Sequence, residues 1–199
     1  MSVTTGIERP FSSAGLNAIG ENYRAPAVAS AVPVQSTVPL FAVGTTPLTT
    51  VTATIHCASI VLPQSQPISR IVLCPTVAGT VTGFWVALLD AALIARAVSA
   101  NTTTVSTGYF AQSVLPASAI PFTTWYAGLW YIAVGTVSTV APQIAAQAAL
   151  PTVAAASGPP VYCGTSATAA TTTPPIVGAQ LGALTGVASN EFYAAVSAT

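Results

Sequence analysis

Charge is what this chain has least of. Four arginines and four acids make up 4% of its 199 residues, with no lysine, one histidine and a formal net charge of zero. An average soluble protein carries charge on about 25% of its residues. With so little repulsion between copies, a free, concentrated cytosolic monomer is an unfavourable design. Four arginines also neutralise few phosphates, which excludes nucleic acid as a partner. General acid–base chemistry near neutral pH is equally short of means. His56 is the one histidine, and the acids Glu8, Glu21, Asp90 and Glu191 include no pair spaced for two-carboxylate hydrolysis and no metal-ligand cluster. A nucleophile elbow, a phosphate-cradling glycine loop ahead of a helix and basic–aromatic interleaving are all missing. The expectation is a non-enzymatic protein with no cofactor. Long apolar runs are missing too, despite a mean hydropathy of +0.71. A span needs about 20 predominantly apolar residues in succession, and every candidate is cut by proline, glutamine, threonine clusters or a charge. No membrane span is expected, and no cationic start leads into the apolar core of a secretory signal. The three cysteines, Cys57, Cys74 and Cys163, cannot all pair and show no C-x-x-C spacing. They read as buried thiols acting as small core hydrophobes.

What the chain does contain is Ala and Val interleaved with Thr, Ser, Pro and Gly, a mixture typical of β-structure with many short turns. Two units are expected: an extended N-terminal arm over 1–34 and a β-sandwich over 35–199. Half of the eight charged side chains, Glu8, Arg9, Glu21 and Arg24, fall in the arm. Its Gly, Pro and Ser punctuation allows at most a short helix at 14–19. A frayed terminus is the ordinary reading. The alternative is an anchor lying along a partner, because Phe11, Leu16, Ile19 and Tyr23 are wasted on a solvated tail. Strand patterns begin near Leu48 with "TTVTATIHCASIVL", a β-branched run in which His56 takes the opposite face from Ile55 and Cys57. A lone histidine there reads as a structural hydrogen-bonder.

The stretch "FWVALLDAALIARAV", Phe84 to Val98, has the apolar density of a membrane segment but is interrupted by Asp90 and Arg96. An Asp opening a turn accepts hydrogen bonds from backbone N–H groups a few residues on. The stretch therefore reads as a β-hairpin, with Trp85, Ala87 and Leu89 on one face of its first strand and Phe84, Val86 and Leu88 on the other. Two apolar faces predict a strand covered on both sides. Arg70 and Arg96 are expected to snorkel or to pair with an acid. "IPFTTWYAGLWYIAVGTV" is the most strand-like run, and the expected core anchors are Trp85, Leu88, Leu129, Trp130 and Ile132. Residues 138–173 read as one long irregular connection holding at most a short strand, and "NEFYAAVSA" reads as a closing strand. The fold class this implies is all-β, an antiparallel sandwich.

Two of these stretches carry a resemblance. "WVALLD" (Trp85 to Asp90), a short turn and an apolar strand are followed by "AGLWYIAV" (Ala127 to Val134), with Pro142 in the next loop. Over roughly residues 48 to 150 the chain resembles a domain of virion proteins from tailed phages that infect actinobacteria. That resemblance implies a jelly-roll-like β-sandwich, found in capsid decoration and minor tail proteins, with no enzymatic residues. It implies phage capsid or tail proteins as partners, a place on the surface of the virion, and homo-oligomers, a trimer among them. A different reading is a carbohydrate-binding module in weak contact with host glycans, with Trp125, Tyr126, Trp130 and Tyr131 as stacking faces.

Overall fold

The computed structural model describes residues 33–38, 43–115, 122–147, 163–186 and 190–198. Residues 1–32 lie outside the described residues. So do the helix expected at 14–19 and the arm contacts expected of Glu8, Arg9, Phe11, Leu16, Ile19, Glu21, Tyr23 and Arg24. The described residues contain strands and no helix, so no helix among them is long and apolar enough to cross a membrane. In chain order the strands are β1 (Pro33–Ser36), β2 (Leu48–Thr49), β3 (Thr54–Leu62), β4 (Pro67–Ile68), β5 (Arg70–Leu73) and β6 (Pro75–Val77). Next come β7 (Thr80–Leu89), β8 (Ala95–Ser99), β9 (Phe110–Leu115), β10 (Phe122–Thr123), β11 (Gly128–Val140) and β12 (Gln143–Ile144). The last are β13 (Ala146–Gln147), β14 (Cys163–Ala169), β15 (Leu184–Gly186), β16 (Glu191–Phe192) and β17 (Ala194–Ser197).

Ten of them form one antiparallel sheet in the order β1-β17-β5-β9-β8-β7-β11-β3-β14-β15. The link between its halves is slight. β8 and β9 pair only at Val98 with Leu115 and Ser99 with Val114. The two halves pack face to face about one core, giving the antiparallel β-sandwich expected. Ile71, Leu73, Phe110, Val114 and Val196 come from one half; Ile60, Phe84, Val86, Leu88, Trp130 and Ile132 come from the other. Short strands close the ends: β10 with β4, β2-β12-β6, and β13 with β16.

Period-2 alternation decides what each side of β7 meets. Phe84, Val86 and Leu88 enter the central core, while Trp85, Ala87 and Leu89 join Ile55, Cys57, Tyr131 and Ala133 in a second cluster on the outer face. Strands β8 and β11 flank β7, so it is interior to the sheet as its two apolar faces predict. Across from Trp85 in β11 stands Gly135. A Cβ there would overlap the indole, so glycine is what admits the tryptophan to this row.

The outer cluster is roofed by irregular chain. Residues 170–183 leave β14, cross over Trp85 and return as β15, burying Ala170 and Leu181. Single hydrogen bonds hold this roof: Trp85 Nε1 donates to the Thr171 carbonyl at 2.9 Å, Gly178 N–H to Ala95 at 2.8 Å and Leu181 N–H to Leu93 at 3.0 Å.

Several expectations need correction. Leu129 is half-buried and packs on the outer cluster, whereas Trp85, Leu88, Trp130 and Ile132 are each at most 1% exposed. Leu129 lies near the end of the sheet opposite the exposed Val61, where the roof does not reach. Cys57 is buried, but Cys74 and Cys163 are half-buried at the margins of the sandwich. The segment 138–173 is not one irregular connection: β11 runs on to Val140, and β12, β13 and β14 follow, with 148–162 outside the described residues. Small Ala and Thr side chains give little alternation to read, and it is edge pairing with β2, β6, β16 and β3 that makes these residues strands. For the same reason β1, unpatterned in the sequence, becomes a strand by pairing with β17.

Candidate functional site

The strongest concentration of polar and aromatic chemistry lies at the tip of the β7–β8 hairpin. Asp90 closes that hairpin as its sequence predicts. Its Oδ1 accepts the N–H of Ala92 at 2.9 Å and of Ile94 at 3.0 Å, while the Leu93 N–H donates to the Asp90 carbonyl at 2.9 Å. The tight path puts Leu93 at φ 62°, the left-handed region that costs a non-glycine residue about 1–2 kcal/mol. The four bonds around it, counting Leu181 to the Leu93 carbonyl, keep it there.

The other carboxylate oxygen of Asp90 accepts from Arg96, from Nε at 2.8 Å and Nη2 at 2.6 Å. Pairing with an acid is thus the outcome for Arg96. The guanidinium so fixed lies over the indole of Trp125, 4.7 Å from the ring centroid. Trp125 in turn meets Phe122, Tyr126 and Trp130 edge to face, with Trp130 at 5.2 Å, and Tyr126 stacks on Trp130 at 4.6 Å. The Tyr126 hydroxyl accepts the Ala91 N–H at 3.0 Å and donates to the Leu129 carbonyl at 2.9 Å, riveting the loop before β11 to the hairpin turn. Burial pushes the Tyr126 phenol above its ordinary value, the Asp90 charge adds to this, and the Ala91 N–H and Arg96 oppose it. The phenol therefore stays protonated and keeps its donor.

The sequence places Asp90 in a turn and Arg96 beside an acid, but it does not join them to Trp125. That residue is 47% exposed, while Trp130, beneath it, is fully buried with an indole N–H that finds no hydrogen-bond acceptor among the described residues. The sequence singles out the "WY" pair, two residues ahead of Gly128 that opens β11, only as stacking faces for a sugar and not as a partner of Arg96. Of the four aromatics a glycan reading would use, Trp130 and Tyr131 are buried and one face of Tyr126 is stacked. Only Trp125 stands well out.

The remaining candidate groups lie elsewhere. His56 is 5% exposed, and its Nε2 accepts the Val51 N–H at 3.1 Å. Burial lowers its pKa, so the ring is neutral with its proton on Nδ1, a structural hydrogen-bonder that ties the entry of β3 to the loop before it. Glu191 is half-buried: burial raises its carboxyl to about 7, and its charge adds to the rise that burial gives the Cys163 thiol. Among the described residues no group of His, Cys, Asp and Glu could hold a metal ion. No protein-family model matches the chain, and no curated protein matches it.

Proposed function

We propose that this chain is a non-enzymatic structural protein of a bacteriophage virion, decorating the capsid as a homo-oligomer and held to the shell by its N-terminal arm. One observation carries the reading: the folded body has almost no charge with which to stay apart from its neighbours. Beyond residue 32 the charged side chains are Arg70, Asp90, Arg96 and Glu191. Asp90 and Arg96 neutralise each other, and Glu191 is pushed up to about 7. Meanwhile Val61, Val140 and Ile176 are 65%, 55% and 78% exposed. A surface of this kind suits a protein that spends its working life covered by others in a shell. The resemblance of "WVALLD" and "AGLWYIAV" to phage virion domains supplies the particle. The charged arm supplies the natural means of attachment, since ordering it costs roughly 1–2 kcal/mol per residue and repays that only through extensive contact.

Immunogold electron microscopy of purified phage particles, with antibody against the body, tests this. Label on the capsid is the expected result. Label confined to the tail would move the chain to the minor tail proteins, and unlabelled particles would defeat the virion reading. A chain truncated to begin at Val34 should still fold but fail to occupy particles that lack the native protein.

A further inference from the structure

The hairpin-tip cluster offers hydrogen-bond donors and almost no acceptors. Both oxygens of Asp90 are occupied, and the Tyr126 hydroxyl already accepts once and donates once. Arg96 uses Nε and Nη2 on Asp90, which leaves the rest of its five-donor fork for another partner, and its side chain is 30% exposed. The Trp125 indole N–H makes no hydrogen bond among the described residues, and its ring is the exposed apolar surface of the patch. Both side chains are fixed in advance, Arg96 by Asp90 and Trp125 by its ring contacts, so little rotamer freedom is left to lose on binding. A matching ligand brings apolar bulk and carbonyl acceptors but few donors. Sugar hydroxyls, which donate as well as accept, match poorly; a proline-containing extended segment matches well, since proline has no N–H.

Such a segment is displayed on the same molecule. In "TTTPPIV", residues 171–177, Pro174 and Pro175 lack N–H groups and their carbonyls accept no hydrogen bond among the described residues. Ile176 beside them is 78% exposed, the most exposed large apolar side chain described. The segment is tied to the sheet at both ends, where Trp85 Nε1 donates to the Thr171 carbonyl and Gly178 N–H donates to the Ala95 carbonyl at 2.8 Å. It forms part of the roof over the outer face of the sheet, whereas Trp125 packs with Phe122 and Trp130 of the central core. Patch and segment thus lie on opposite sides of the β7–β8 hairpin, and one copy cannot satisfy itself.

We infer that the Trp125–Arg96 patch of one copy receives the Pro174–Pro175–Ile176 segment of a second copy, a head-to-tail contact that builds rings where the rotation closes. No charge on the segment opposes the contact. The inference is independent of the virion reading, because it concerns self-association of the purified chain.

A synthetic peptide of residues 170–178, titrated into the full chain, tests it through tryptophan emission. Trp85 and Trp130 are buried, so a change reports Trp125. The expected result is a saturable shift whose affinity falls by about tenfold or more when both prolines of the peptide are alanine. Sedimentation should show Trp125→Ala and Ile176→Asp each dissociating the wild-type oligomer. Mixed together they should regain a dimer, because Ile176→Asp keeps the patch and Trp125→Ala keeps the segment. An unshifted emission with the peptide overturns the inference, including the case where Trp125→Ala still dissociates the oligomer and the patch takes another occupant. A shift produced by sugars and not by the peptide overturns it equally, as does an oligomer unchanged in both variants.

Discussion

The two faces of β7 are closed in different ways. On the inner face Phe84, Val86 and Leu88 meet a second layer of hydrogen-bonded strands, with Phe84 edge-on to Phe110 at 5.7 Å. On the outer face Trp85, Ala87 and Leu89 are just as dry, yet their cover is the irregular run 170–183, pinned by separate hydrogen bonds and one isolated bridge between Ile94 and Gln180. Equal burial therefore does not mean equal cooperativity. A ladder opens together, whereas a roof held at points can lift while the sheet beneath it remains. Amide exchange should show this directly, with Leu181 exchanging faster than Val86 or Ile132.

The largest expected effect tests whether the roofed face is core at all. Trp85→Ala removes a fully buried indole and the one side-chain bond to the Thr171 carbonyl, and should cost about 3–5 kcal/mol, as should Phe84→Ala on the inner face. Melting of the Trp85 variant at the wild-type temperature would show the outer cluster to be peripheral. Next comes the hairpin tip, which supports the roof through the Leu93 carbonyl. Asp90→Ala leaves two turn N–H groups and Arg96 without their acceptor and should cost about 2–4 kcal/mol in chemical denaturation. Asp90→Asn, which keeps an oxygen for the turn but loses the ion pair, should lose less; equal losses would mean that the pair and not the turn holds the tip.

A smaller change probes the fit between sheet and indole. Gly135→Ala drives a methyl into Trp85 and should cost about 1–3 kcal/mol, while Trp85→Phe in the same chain should recover part of it. Additive losses in that double-variant cycle would refute the steric account.

The smallest effects are set by pH. Glu191 is raised from 4.5 to about 7 by burial, so the folded chain holds that proton more tightly than the unfolded one. Its contribution to stability is full below pH 4.5 and lost as the pH rises through 7. Glu191→Gln should therefore melt higher than wild type in mildly alkaline buffer and remove that part of the pH dependence. His56 runs the other way. Its lowered pKa gives stability that is full above 6.5 and is lost as the pH falls below that value, when protonation at Nε2 displaces the Val51 N–H. His56→Gln should flatten the acid limb of the melting profile; an unchanged limb would assign it to other groups.

The amino-acid sequence by itself determined the all-β class, the hairpin about Asp90, the sorting of Phe84 to Leu89 onto two faces and the structural role of His56. Each is a local signal: a period of two in bulky side chains, a turn residue with a carboxylate, a lone imidazole in a β-branched run. Tertiary structure decided the rest. Trp125 reaches Arg96 across 28 intervening positions only because β11 pairs with β7, and the Ala- and Thr-rich stretches of β12, β13 and β14 are strands only because edges stand open to receive them. The roof over Trp85, the burial that raises Glu191 and the exposure of Pro174, Pro175 and Ile176 are likewise decided by which distant segments meet. Small side chains and single hydrogen bonds carry no periodicity along the chain, so their placement is fixed by the sheet they land on.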